Sequence, residues 1–269
     1  MSFELRPYQV NAVTDIENHF RVGDSTPSVL ILPTGVGKSI LVSEIAVISR
    51  RVGLKVLVLH HTSLLLKQNF HKYTVDYGMD AKKFSASLDV KEIGDVTFAT
   101  TKSVINSIGL FDENVVLICD ESHIGARWSN DMGKVIKKLK PRFTFGLTAT
   151  PVVLENLIEG SQLVFQTQLK GGIFKKVIHL LQIQEISDKY WSNFKYLVPK
   201  LDISALTLNS SGQSFTERSI LNFYALNDIQ PRISKAISHL KGLGVKRIVV
   251  FCENIEFATL VRSNISGAG

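Results

Sequence analysis

Only two cysteines stand in the 269 residues, Cys119 and Cys252. Two cannot build the disulfide framework of a small secreted domain or a cysteine-rich zinc site. Both fall in stretches that read as buried strands, which suits a reducing interior. No run of about eighteen apolar residues occurs, so no membrane-spanning helix is expected. The opening Met1-Ser2-Phe3-Glu4-Leu5-Arg6 lacks the pattern of a secretory leader. Internal repeats and low-complexity tracts are missing as well. Acidic residues are the scarcer charge, 24 against 31 lysines and arginines, which leaves the chain at +7. That balance suits a polyanionic partner, and it suits a basic protein without one equally well. The pairs Lys82-Lys83, Lys137-Lys138 and Lys175-Lys176 are scattered and read as solvated faces rather than one binding stripe. A hydrophobic content of 45% is enough for a sizeable core, and the length holds one large domain and part of another.

The most informative stretch is Pro33-Thr34-Gly35-Val36-Gly37-Lys38-Ser39. The apolar run Val29-Leu30-Ile31-Leu32 leads into it, and the helical pattern Ile40 to Ala46 leaves it. Strand, glycine loop, Lys-Ser and helix is the order that cradles a nucleoside triphosphate. Gly35 and Gly37 let backbone N–H groups turn inward onto phosphate oxygens. The following helix adds the positive end of its dipole. Lys38 has the reach for the β- and γ-phosphates, and the Ser39 hydroxyl is a ligand for Mg2+. The strict form of the motif has glycine where this chain has Leu32.

A second apolar run, Val115 to Cys119, reads as a parallel strand buried on both faces. It ends in Asp120-Glu121-Ser122-His123. In open α/β sheets ligands bind at the carboxyl ends of the strands. Asp120 is therefore the expected Mg2+ partner and Glu121 the residue that polarises the attacking water. His123 alone is more often a structural hydrogen-bonding group than a catalytic one.

Together these segments resemble motifs I and II of the superfamily-2 helicases and translocases, in the DExH branch. Further stretches are similar to the family's pattern. Gly146-Leu147-Thr148-Ala149-Thr150-Pro151 resembles motif III, which implies that Thr148 and Thr150 couple hydrolysis to strand movement. Leu5-Arg6-Pro7-Tyr8-Gln9 resembles the adenine-reading motif. The Gln9 amide has the donor and acceptor to grip adenine N6 and N7, and Arg6 has the guanidinium to stack or bond beside it. His60 to Gln68 and Ala99 to Ser103 occupy the places of the strand-binding motifs, which implies nucleic-acid contacts at Thr62, Thr100, Thr101 and Lys102. Threonine- and serine-rich turns after strands also serve as helix caps. The resemblance implies catalytic roles for Lys38, Asp120, Glu121 and His123. It also implies a nucleotide cradle of Arg6, Gln9 and residues 34–39, ATP and Mg2+ as cofactors, and DNA rather than RNA as the polymer.

The remaining pattern suits a parallel sheet covered by helices on both faces, the α/β RecA-like class. Strands are expected at 55–59, 95–99 and 143–147, with helices at 62–77, 102–107 and 130–139. The stretch 175–191 is equally readable as helix or strand. Motor domain 1 is expected over 1–208, a linker over 209–229 with its hinge at Asn209 to Ser214, and the beginning of a second RecA-like domain over 230–269. That last part is expected to hold a helix from Gln230 and a strand at 246–252. The order of spacings and the stretch Phe215 to Ile265 look most like the RadD-like bacterial repair helicases and restriction-enzyme motor subunits. The resemblance therefore places the protein in a bacterial cytoplasm, or a phage protein in that of its host, as a monomer. The family's second domain carries motifs V and VI, and no Gln-x-x-Gly-Arg-x-x-Arg pattern stands in this sequence. The chain is accordingly expected to be part of a longer protein, with a natural short form as the alternative, to bind Mg-ATP and to hydrolyse it slowly. A nucleotide-gated nucleic-acid-binding module without useful turnover is the alternative. A phosphate-loop enzyme acting on a small molecule fits the basic charge and the adenine motif less well.

Overall fold

The computed structural model describes residues 4–157, 160–191, 200–209, 215–252 and 254–266. The chain divides into two units, Met1–Asn193 and Phe194–Gly269.

The first unit is built on an eight-stranded sheet. In chain order its strands are β1 (Ser28–Ile31), β2 (Val56–His60), β3 (Lys82–Ser85), β4 (Val90–Lys91), β5 (Val96–Thr100), β6 (Val116–Asp120) and β7 (Phe143–Thr148), with β10 (Lys176–Leu180) last. Across the sheet the order is β10-β1-β7-β6-β2-β5-β3-β4. Every neighbouring pair is parallel except β3 with β4. Helices α1 (Pro7–Val22), α2 (Lys38–Arg51), α3 (Ser63–His71), α4 (Thr101–Ile105) and α5 (Asp131–Leu139) connect them. A π-helical turn, Lys72–Asp76, prolongs α3. This is the expected RecA-like α/β arrangement.

Alternate residues of each central strand feed opposite cores, as the period of two requires. Leu30, Val58, Ile118 and Phe145 pack with Ile16 of α1 and Leu41 and Ile45 of α2. Val29, Leu57 and Leu117 pack on the other face with Val135 and Leu139 of α5. Strands β2, β6 and β7 are buried along their whole length. A sheet covered on both faces has no polar-facing register, which is why these segments read as continuous apolar runs.

Two features went unseen in the sequence. Strands β8 (Val152–Leu157) and β9 (Gly160–Phe165) form a separate antiparallel hairpin directly after the Thr-Ala-Thr-Pro segment. The ambiguous stretch 175–191 supplies the parallel edge strand β10, a 3-10 turn Ile183–Glu185 and the short helix α6 (Ser187–Tyr190).

The second unit contains helices α7 (Glu217–Leu226), α8 (Ile229–Gly242) and α9 (Ile255–Ser266). Helix α7 lies inside the stretch read as a linker. The expected hinge, apart from Asn209, lies outside the described residues, and so does Glu253. The strand expected at 246–252 is not formed. Val249, Val250 and Phe251 remain exposed, Phe251 at 95%, while Ile248 and Cys252 are half-buried rather than in a core strand. A strand exists only through ladder bonds to a neighbour, and among the described residues none forms a ladder with this stretch, although α8 lines a cleft with it. Inside the unit, Asn227 ties the chain to α7: its Nδ2 donates to the Asp202 carbonyl and its Oδ1 accepts from the Asp202 N–H, each at 2.7 Å. Tyr224 stacks on Phe257 at 4.5 Å.

Candidate active site at the strand tips

The phosphate loop follows β1 without a break. Gly35 and Gly37 have φ of +80° and +86°, the left-handed region that favours glycine. At Gly37 space forbids a side chain as well, since a Cβ there would meet Gln9 Nε2 and Ile40 Cδ1 at 2.9 Å. Val36 is buried and anchors the loop, while Thr34 and Gly35 are exposed. Helix α2 begins at Lys38, so its first N–H groups and Ser39 lie at the loop's exit.

Strand β6, next to β7 and β2, ends in the acidic pair. Lys38 Nζ donates to Glu121 Oε1 at 2.5 Å, joining groups 83 residues apart. Glu121 sits in the left-handed region at φ 50°, unusual for a residue with a Cβ. Asp120 is 5% exposed. Burial, followed by the Glu121 charge, raises its pKa, and Lys38 opposes the shift. Its Oδ1 accepts from the Glu121 N–H at 3.0 Å and its Oδ2 from Asn69 Nδ2 at 2.8 Å.

His123 links this pair to the end of β7. Its Nδ1 lies 2.9 Å from Thr148 Oγ1 and 3.5 Å from Glu121 Oε2. The Thr148 hydroxyl also donates to the Thr150 carbonyl at 3.2 Å and accepts from the Thr150 N–H at 3.0 Å. With that hydroxyl proton committed, Nδ1 of His123 is the nitrogen that carries hydrogen. Burial lowers the His123 pKa, against the pull of Glu121. His123, Thr148 and Thr150 therefore form one hydrogen-bonded corner.

The N-terminal motif docks on the same loop. Helix α1 starts with Pro7 at its first position, where a missing N–H costs nothing. Gln9 Oε1 accepts from the Arg6 N–H at 2.9 Å, and its Nε2 donates to the Val36 carbonyl at 2.9 Å. Tyr8 donates to the same carbonyl at 3.3 Å. The amide of Gln9 is thus engaged at both ends with protein, and the side chain is buried. These residues line a cleft of about 140 Å³ with Glu4, Gly35 and Ile40. Arg6 is exposed, and its guanidinium lies 4.8 Å from the ring centre of Tyr190, which meets Tyr8 edge-on. Tyr190 and its neighbour Trp191, near Gly35, belong to the stretch whose reading was left open. No local pattern marks them, because only the return of β10 beside β1 brings them here.

The expected nucleic-acid contacts divide. Thr62 is exposed and caps α3, its Oγ1 accepting from the Leu65 N–H at 3.3 Å. Thr100 and Thr101 are buried. Thr100 donates to Ser103 Oγ at 2.8 Å, and Thr101 donates to the His60 carbonyl at 3.3 Å. Lys102 is exposed and lines a polar cleft of about 370 Å³ with His61, Asn130 and Lys134.

Residues 2–153 match the family model for the type III restriction enzyme, res subunit. The chain belongs to this family. Its motors are superfamily-2 helicase-like, in line with the motif resemblance. Two solved structures share the fold of the res-subunit family chain. One is the ATP-dependent type ISP restriction-modification enzyme LlaBIII bound to DNA, at 20% identity and a TM-score of 0.52, covering 67% of this chain and 15% of that one. The other is a nuclease-deletion mutant of the type ISP enzyme LlaGI in complex with a DNA substrate mimic, at 23% identity and a TM-score of 0.53, covering 71% and 21%. At these identities the likeness is one of fold. The chain spans about a fifth or less of the length of either protein. No curated protein sequence matches it. Among the described residues no helix is long and apolar enough to cross a membrane.

Proposed function

We propose that the chain is the nucleotide-binding part of an ATP-driven DNA motor, with Mg-ATP bound between the 34–39 loop and the tip of β6. The observation that carries this reading is the ion pair between Lys38 and Glu121. It brings the phosphate-binding lysine and the water-polarising carboxylate to one point, although β1 and β6 are separated by β7 in the sheet.

The donor set fits a hard cation. Ser39 offers a hydroxyl and Asp120 a carboxylate, and magnesium prefers one or two such oxygens together with substrate phosphates over an all-protein cage. When bound, the cation neutralises charge on the phosphates. Lys38 exchanges Glu121 for phosphate oxygens on nucleotide entry. That releases Glu121 to accept hydrogen from water aimed at the γ-phosphate. His123 lies between Glu121 and Thr148, bonded to the latter, so a change at the carboxylate reaches the segment that leads into the β8–β9 hairpin. Arg6 and Gln9 border the base. Lys102 and the cleft beside it are the surface for the DNA backbone, and Thr62, Thr100 and Thr101 serve the turns beneath it. With no arginine motif for the γ-phosphate in the sequence, turnover by these residues alone is slow.

The test is calorimetry with AMP-PNP and Mg2+, followed by steady-state ATPase with and without DNA. Binding weakened about ten- to a hundredfold by Lys38→Ala supports the reading, and wild-type binding in that variant overturns it.

A further inference from the structure

Asp120 is held by a side chain that belongs to none of the recognised motifs. Asn69 lies in α3 and is 4% exposed. Both hydrogens of its amide are committed, one to Asp120 Oδ2 and one to His60 Nε2, each at 2.8 Å. His60 is wholly buried at the end of β2. Chemistry decides which way the amide points, because its oxygen in this place would face the carboxylate and repel it. His60 is then the acceptor, with its hydrogen on Nδ1. The other carboxylate oxygen already accepts from the Glu121 N–H. Each oxygen of Asp120 therefore has one protein donor, and the plane of the carboxylate is fixed. Through this one amide the acid at the tip of β6 is tied to α3 and to the end of β2.

We infer that Asn69 is a positioning residue for the magnesium of bound nucleotide, locking the Asp120 carboxylate in a single orientation. The inference rests on the reading of Asp120 as the magnesium-side carboxylate. A residue that merely satisfied buried polar atoms would support stability and leave the response to Mg2+ untouched. A hydrogen-bonding partner of a metal-ligating carboxylate tunes the metal itself.

The experiment is AMP-PNP binding by the whole chain, measured calorimetrically in EDTA and across a Mg2+ titration, with unfolding midpoints recorded alongside. Asn69→Leu keeps the volume and removes the donors. It is expected to raise the Mg2+ concentration for half-maximal tightening by about ten- to a hundredfold, with affinity in EDTA unchanged. Asn69→Ser, which returns one donor, is expected between Asn69→Leu and wild type. A wild-type Mg2+ requirement in Asn69→Leu overturns the inference. If that variant does not fold, Asn69→Ser decides alone, a raised requirement supporting the role and an unchanged one refuting it. Asp120→Asn separates the two layers: a Mg2+ response equal to wild type removes Asp120 from the metal, and the inference with it. A lost response in Asp120→Asn with none altered at position 69 overturns the role of Asn69 alone.

Discussion

At the scale of single residues the proposed nucleotide site is a set of charges that satisfy one another. Lys38 and Glu121 are paired, and removing either has a different signature. Lys38→Ala is expected to weaken AMP-PNP binding by about ten- to a hundredfold, the worth of a charge-assisted hydrogen bond. Glu121→Gln is expected to retain binding and to lower DNA-stimulated turnover by about a hundred- to ten-thousandfold, the usual worth of a general base. Equal losses of binding in both would refute separate roles. Histidines give the protein a direction in pH. His60 is held down to about 3 by burial, and burial also lowers His19, His61 and His123. In the unfolded chain these rings titrate near the ordinary histidine value, about 6.5. Between that value and their folded ones the unfolded state binds more protons. Stability is therefore full above that range and is lost as pH falls towards 3. The urea midpoint should drop between pH 7 and pH 4, and more shallowly in His60→Gln. An equal slope in both would show that the His60 ring does not resist protonation.

At the scale of elements, local chemistry and tertiary partnership contribute separately. Helix α3 is set by its own sequence: Thr62 caps it, and Thr62→Ala is expected to cost about 1 kcal/mol, measured by urea unfolding. The loop between β1 and α2 is equally local, because its two left-handed glycines dictate the turn. The stretch 246–252 is the contrary case. Lys246-Arg247-Ile248-Val249-Val250-Phe251-Cys252 has the composition of a strand and no ladder partner among the described residues of its unit. Exposed apolar segments of this kind invite pairing with other chains. Phe251→Lys should lower light scattering by concentrated protein, while unchanged scattering would mean that the segment is not adhesive.

At the scale of the whole molecule, a net charge of +7 and a cleft carrying Lys102 and Lys134 predict an electrostatic grip on DNA. Affinity should fall steeply and log-linearly with salt. Lys102→Ala should reduce that slope by about one phosphate contact, uniformly across DNA sequences. A slope unchanged by the substitution would move the DNA path elsewhere. The family match and the shared fold of DNA-bound type ISP enzymes concern the same first unit, whose strand tips gather all of the proposed nucleotide chemistry.

By itself, the sequence was sufficient for much of what depends on neighbours along the chain, the β8–β9 hairpin excepted. The glycine loop, the buried parallel strands, the acidic tip of β6 and the cap of α3 follow from turn geometry, apolar runs and side-chain oxygens at fixed offsets. What it could not contain is which distant segments meet. Asn69 looks like any polar helix residue until α3 lies over the end of β6, and Tyr190 has no pattern that announces its place beside Arg6. Thr101 reads as a surface contact and turns inward because the His60 carbonyl waits beneath it. The stretch 246–252 reads as a strand and is not one, because a ladder is made by two segments. Contacts within a turn or a helix are encoded by adjacency, whereas contacts across the sheet depend on packing, and only the folded chain decides them.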